Sequence, residues 1–275
     1  MSSIGRQRTW WLLGGLALLI ILAATFLLFF APDTIRLLRR DTTWRTMQAN
    51  GIWRVGMDPS FPPFERLDDA GKPVGFDVAL ANAIAAAWGL QVELIPIGFD
   101  SLLDALQTGK IDSVISALPF DERMTRDVAY STPYFEAGIF LATRPATGIQ
   151  QGEALASRTI GVEWGSMSDM VGRRLQKATP TLKVQPFDTP TAAIDALVKA
   201  QTVDAILIDN VTLRIAQVQG VPLVTVKPVL ESNPFVIAMP VTAYELHAAA
   251  EEALTKMRTN GELATLEDNW FASTP

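Results

Sequence analysis

The chain has 275 residues, no Cys and a single His, so thiolate, zinc, Ser-His-Asp and Cys-His chemistries have almost no material to work with. Beyond residue 45 it carries 17 Lys plus Arg against 27 Asp plus Glu, an acidic balance that suits neither nucleic acid nor anionic lipid. Nearly half of the residues are apolar, and the length is enough for two lobes with separate cores.

The first predicted element spans a membrane. From Trp10 to Phe30 no residue is charged, a run about long enough to cross a bilayer, and Arg6 and Arg8 precede it. A cleaved signal peptide would have a shorter apolar core and small residues at the cut. Here only Ala23 and Thr25 offer such a pair, and more apolar residues follow them. An uncleaved signal anchor is therefore the favoured reading, with a cleaved secreted or periplasmic form as the alternative. Arg36, Arg39, Arg40 and Arg45 oppose export by the positive-inside rule, although large domains cross regardless of flanking charge. The expected layout is an anchor over 1–31, a linker over 32–50 and a soluble part from residue 51.

In the soluble part, short apolar runs alternate with helical ones. "IWRVGM" predicts a strand. "FDVALANAIAAAWG" predicts a helix that Gly75 leads into, Asp77 is placed to cap, and Gly89 ends. "QVELIPI" is a strand, "DSLLDALQTG" a helix with Asp100 as N-cap, and "IDSVISAL" a strand. "YSTPYFEAGIFLATRP" is extended. The pattern then recurs with strand "TIGVEWG", helix "MSDMVGRRLQKA", strand "LKVQPF", helix "TPTAAIDALVKA" capped by Thr189, and strand "VDAILID". "FDSLLDALQTGKIDSVIS" and "FDTPTAAIDALVKAQTVDAILI" share Phe-Asp, a helix with Asp-Ala-Leu, and an Asp opening an apolar strand. A second extended segment, "NPFVIAMP", precedes two final helices, the first of which places His247 as a surface helix residue.

Alternation of this kind means mainly parallel sheets flanked by helices. Two matching halves and two extended segments predict an α/β fold of two lobes with the second inserted in the first. Lobe 1 takes 51–140, lobe 2 takes 141–233, and 234–275 returns to lobe 1. Two crossover strands between lobes make a cleft that can hinge and hold a ligand.

From about Gly51 to Phe271 the chain resembles the bacterial extracellular solute-binding proteins of family 3, the polar amino-acid receptors of ABC importers. The landmarks are "VGMDPSFPPFE", "GKPVGFDVALANAIA", "FDSLLDALQTGKIDSVIS", "AYSTPYFEAG", "TIGVEWGSMSD", "VDAILID" and "MRTNGELATLEDNWF". Each is weak alone; seven in this order are specific. The resemblance implies a periplasmic-binding-protein-like fold of type II and a small-molecule ligand. It also implies delivery to permease and ATPase subunits. It points to a monomer that is not an enzyme and uses no cofactor or metal.

By the same resemblance Phe61 and Phe99 wall the pocket, and two prolines stiffen the loop that carries Phe61. Phe64 reads as core. An amino acid needs an acid for its ammonium and a bidentate donor for its carboxylate. The family places the acid at Asp209, whose competing reading is the cap of the helix that follows. Ser116 matches a ligand-contacting position. The family's arginine falls on Met124 in ungapped register and on Arg123 when aligned through "DER"; Arg123 is the expected carboxylate partner, and Arg126 reads as a solvated charge. Gly165 and Ser166 fit a strand-to-helix turn whose N–H groups can hold a carboxylate. Trp164 and Glu163 beside them are unusual. Competing functions are a sensing module acting through a partner protein and a cyclohexadienyl dehydratase-like enzyme, with Glu163 or Asp209 as its acid.

The anchor reading is checked by N-terminal sequencing of the membrane-associated protein. The expected start lies upstream of Trp10; a start near Phe26 or Pro32 overturns the reading.

Overall fold

The computed structural model describes residues 42–145, 147–149 and 155–272, so the predicted anchor lies outside the described residues. Among those described, no helix is long and apolar enough to cross a membrane. The chain first builds α1 (Thr43–Asn50), β1 (Ile52–Met57), a small hairpin sheet of β2 (Ser60–Phe61), β3 (Glu65–Leu67) and β4 (Pro73–Val74), then α2 (Phe76–Trp88). There follow β5 (Gln91–Pro96), α3 (Leu102–Gln107), β6 (Ser113–Val114), β7 (Val128–Tyr130) and the crossover β8 (Phe135–Glu136). The second lobe runs β9 (Ile139–Thr143), β10 (Thr159–Glu163), α4 (Met167–Ala178), β11 (Lys183–Phe187), α5 (Pro190–Val198), β12 (Ala205–Asp209), α6 (Asn210–Val218) and β13 (Val224–Glu231). The return is β14 (Pro234–Phe235), β15 (Ala238–Pro240), α7 (Tyr244–Thr259) and α8 (Glu262–Ala272).

The two large sheets have one plan. Lobe 1 orders its strands β5-β1-β6-β15-β7 and lobe 2 orders them β11-β10-β12-β9-β13. In each, three parallel strands meet an antiparallel fourth. In lobe 1 that fourth strand, β15, comes from the return segment, while in lobe 2 it is β9, the strand that enters. The second lobe is therefore inserted in the first. Its sheet opens at Ile139, where β9 begins, and α1 lies within the expected linker, with Met47 buried in the first core.

The periodic segments fold as their residues direct. Trp53, Val55 and Met57 alternate onto one face of β1 and are fully buried there in the first core, while Ile52 and Arg54 on the other face keep some exposure. Thr189 Oγ1 accepts the Ala192 N–H at 3.1 Å with Pro190 in the first turn of α5, and Gly89 ends α2 in the left-handed conformation. Gly75 has φ +146°, and a Cβ there would stand 2.0 Å from the Phe64 carbonyl oxygen, so only glycine fits this bend. Three local expectations need correction. Asp100 caps nothing, because it lies inside a 3₁₀ turn, Phe99–Ser101, and not before it; the first N–H of that turn, on Phe99, donates to Asp58 Oδ2. Asp77 is not a cap either; it is fully buried and turned away from the helix end. The strand expected over "IDSVISAL" shortens to Ser113–Val114, because the chain bends to a positive φ at Ala117.

The crossovers pair with each other, Pro234 against Glu136 and Phe235 against Phe135, antiparallel. Glu136 ties them: Oε1 accepts the N–H groups of Gly138 at 2.9 Å and Asn233 at 2.7 Å, and Oε2 accepts the Ser232 hydroxyl at 2.7 Å. Helix α6 spans the two lobes. Leu213 and Ala216 are buried in the second core, while Val211, Ile215 and Val218 pack on the first. Arg214 on the same helix binds Glu267 and Asp268 of α8.

Phe64 is fully buried among Phe76, Phe135, Phe235 and Phe271, with ring centroids 5.1–5.8 Å away. Phe64→Ala is expected to lower unfolding free energy by about 3–5 kcal/mol. Phe61→Ala, at a ring 47% exposed, should change it by less than about 1 kcal/mol. Urea unfolding of both variants checks the contrast.

Candidate functional site

The parallel strands of each lobe deliver their next residues to one sheet edge, the edge where α/β folds place ligands. In lobe 1 the chain leaves β1 at Asp58. Its N–H donates to Ser116 Oγ at 2.9 Å, and its Oδ2 accepts the Phe99 N–H at 2.9 Å. One residue thereby fixes the segments after β1, β5 and β6 relative to one another. Phe61 follows and stacks on the buried Phe64 at 5.7 Å with the planes 9° apart. A cavity of about 340 Å³ opens there, walled by Phe61, Phe99, Phe235 and Pro119, with Asp58, Glu65 and Ser116 among its polar groups. The structure thus brings Phe61, Phe99 and Ser116 together.

The Ser116 hydroxyl is fully committed. It donates to Glu65 Oε1 at 2.8 Å while accepting from Asp58, so it shapes the cavity and has no proton left for a ligand. Asp58, Glu65 and Asn233 line the same cavity and were not picked out by sequence reasoning. The signal for Asp58 was its place immediately after a buried parallel strand.

In lobe 2, Asp209 ends β12 and caps α6, its Oδ1 accepting the Thr212 N–H at 2.9 Å. The cap reading of Asp209 therefore holds, and its Oδ2 has no hydrogen-bond donor among the described residues. Asp209 lines a small niche of about 10 Å³ with Glu163 and Ser168. The turn between β10 and α4 differs from expectation. The Gly165 N–H already donates to Asp169 Oδ2 at 3.2 Å and the Ser166 N–H to the Glu163 carbonyl at 3.3 Å. Ser166 Oγ in turn accepts the Asp169 N–H. The chain's own buried Asp169 and the Glu163 carbonyl thus occupy one donor each of the two that could have held a ligand carboxylate. The N–H groups of Met167 and Ser168 are what the first turn leaves over. Trp164 is 69% exposed beside them.

Arg123 joins neither cavity. It sits in a 3₁₀ turn, Glu122–Met124, and forks onto Asp121 through Nε at 2.9 Å and Nη2 at 2.8 Å. Its side chain is 89% exposed, and its hydrogen bonds hold the Asp121 carboxyl below the usual range. Arg126 is exposed, and His247 on α7 binds the Tyr130 carbonyl at 2.9 Å. Among the described residues no group of three or more His, Cys, Asp or Glu is placed to hold a metal.

The family model for bacterial extracellular solute-binding proteins, family 3, matches residues 53–273. The chain belongs to this family. It is 28% identical to the arginine-binding extracellular protein ArtP of Bacillus subtilis, over 79% of this chain and 85% of that protein. It is 25% identical to the L-cystine-binding protein TcyJ of Escherichia coli, over 82% and 85%. Among solved structures, the second substrate-binding domain of GlnP from Lactococcus lactis in its open conformation superposes with a TM-score of 0.64. That domain is 25% identical and matches over 82% of this chain and 97% of its own length.

Ser116→Ala should leave the Asp58 N–H and the buried Glu65 oxygen without partners. Each orphan costs about 1–3 kcal/mol. Urea unfolding should register a loss of that size.

Proposed function

We propose that this chain is a membrane-tethered extracytoplasmic receptor that captures a small polar solute, an amino acid, in its interlobe cleft. It passes the solute to an ABC permease with its ATPase, acts as a monomer, and catalyses nothing. The observation that carries this reading is the convergence of Phe61 and Phe99 with the Asp58 carboxylate around one open cavity beside the return crossover; Asp209 ends the corresponding strand of the second lobe. Family membership and relatives named for binding arginine and cystine support the ligand class. The charge-free run from Trp10 to Phe30 supports the tether.

In this reading the aromatic rings grip the solute's side chain and Asp209 Oδ2 accepts its ammonium. Arg123 swings from Asp121 to the carboxylate; an exposed pair of that kind is worth about 0–1 kcal/mol, so its release costs little. The N–H groups of Met167 and Ser168 supply further donors as lobe 2 closes.

Because the chain has no Cys, one cysteine can be placed in each lobe, at exposed Asp69 and Lys177, and the distance followed by fluorescence transfer. A screen of amino acids should find one that changes this distance and stabilises the fold by about 2.7 kcal/mol at a hundredfold excess over Kd. Asp209→Asn keeps the cap and removes the charge. It should fold normally and bind that amino acid at least tenfold more weakly, since a hydrogen bond to a charged group is worth about 1.5–3 kcal/mol. Parent-like binding by this variant removes Asp209 from the site. A screen in which no amino acid binds removes the ligand class.

A further inference from the structure

Two carboxyl groups lie buried under the cavity floor. Glu65 is 1% exposed and Asp77 fully buried. Glu65 Oε1 accepts the Ser116 hydroxyl at 2.8 Å. Asp77 Oδ2 accepts the Ala117 N–H at 2.5 Å and the Tyr134 hydroxyl at 3.0 Å. The other oxygen of each, Glu65 Oε2 and Asp77 Oδ1, is buried with no donor from the protein. The two side chains are held side by side: the Asp77 N–H donates to the carbonyl of Phe64, the residue before Glu65, at 2.9 Å, and their partners Ser116 and Ala117 are consecutive. Two ionised carboxylates in that contact would repel in a medium that screens poorly, and each would leave a charged oxygen unsatisfied.

We propose that these two oxygens share one proton, so that Glu65 and Asp77 form a carboxylic acid–carboxylate pair carrying a single negative charge and holding Ser116 and Ala117 in the cavity floor. Every remaining polar atom is then paired: Glu65 donates through Oε2 to Asp77 Oδ1, and Asp77 accepts three bonds. The groups facing the pair agree. Tyr134 donates, and its hydroxyl is kept protonated by burial and by the Asp77 charge. Asp58, across the cavity, adds negative charge that favours a neutral Glu65. Burial, then the Asp77 charge, push the Glu65 carboxyl far above the usual carboxylate range. Burial raises Asp77 less, because its hydrogen bonds from Glu65, Ala117 and Tyr134 stabilise its charge.

With the proton on Oε2, Glu65 Oε1 stays an acceptor, so Ser116 remains a donor to Glu65 and an acceptor for the Asp58 N–H. It also pins Ala117, whose φ of +42° is strained for a residue with a Cβ. The pair positions the cavity without touching the chemistry of any particular solute, so it stands whether or not that solute is an amino acid.

The test is proton linkage on the full-length chain in detergent. The folded pair keeps a proton that the unfolded chain releases above the ordinary carboxylate range. The folded state therefore binds more protons, and stability falls as pH rises. With one His in the chain, few other groups titrate from about pH 6 to 9. The parent's folding constant should fall about tenfold per pH unit there, the value for one proton. In E65Q the amide donates to Asp77 as the acid did, and in D77N the amide donates to an ionised Glu65. Each variant should fold and lose that slope. Each should also lose a protonated-carboxyl stretching band that the parent shows in the infrared and that shifts in heavy water. A parent whose stability is flat over this range overturns the proposal whatever the variants do. So does a folded E65Q or D77N that keeps both slope and band.

Discussion

The packing of rings around Phe64 is the constraint on which the rest of the molecule depends. Its neighbours come from five places: the head of α2 (Phe76), the outgoing crossover (Phe135), the return crossover (Phe235), α8 (Phe271) and, on its outer face, the loop that carries Phe61. Edge-to-face contacts of this kind contribute about 0.5–1.5 kcal/mol each beyond the area they bury. They join the lobe 1 core, both interlobe strands and the chain's last helix into one body. The aromatic-proline-proline-aromatic run after β1 divides its labour accordingly. Phe64 anchors, and Phe61, stacked on it, is held half out of the protein at the mouth of the cavity.

Above that anchor sits a polar layer. Asp58, Ser116 and Glu65 form one run of hydrogen bonds at the cavity wall, Asp77 and Tyr134 form another that reaches the residue before the crossover, and the shared proton proposed above joins the two. With that proton the cavity wall of lobe 1 and the approach to the crossover are parts of one network. Lobe 2 connects differently. Asp209 caps α6, and the same helix rests one face on the first core and grips α8 through Arg214. A pull on the N-terminal end of α6 is a pull on a helix already seated against the other lobe.

The sequence made the repetitive parts legible. β1, α4 and α5 were readable because apolar periodicity, Thr189 with Pro190, and the Asp-Ala-Leu repeat are local signals. The lobe order was readable because two extended segments interrupt that alternation. Phe61 and Phe99 came from likeness to a family, and the structure places them on one cavity. What escaped was every contact made at a distance. Ser116 meets Glu65 across 51 positions, and Ala117 meets Asp77 across 40. No local pattern in "PPFE" or "GFD" reveals which carboxylate faces which donor. Asp169 escaped for a subtler reason: an acid in the first turn of a helix is ordinary, and only its burial, which lets it take the Gly165 N–H, sets this one apart. Asp100 misled because the helical turn begins one residue earlier, at Phe99, so Asp100 lies inside the turn and not at its cap; Asp58, forty-odd positions earlier in the chain, takes the Phe99 N–H.

The way the second lobe leaves and rejoins the first has a consequence of a different kind. Ile139 and Glu231, its first and last strand residues, are paired neighbours, and the Gly138 backbone lies so close to the Glu231 carbonyl that a Cβ would stand 2.0 Å from it. The inserted lobe thus begins and ends at a single point. Closing that point costs the host lobe almost no chain entropy, however long the insert. By its chain path such a lobe is a cassette, held to its host beyond that point by α6 and Arg214. A short turn between Glu136 and Asn233 would seal lobe 1 without disturbing β8 or β14, and a foreign lobe with equally close ends could be spliced there.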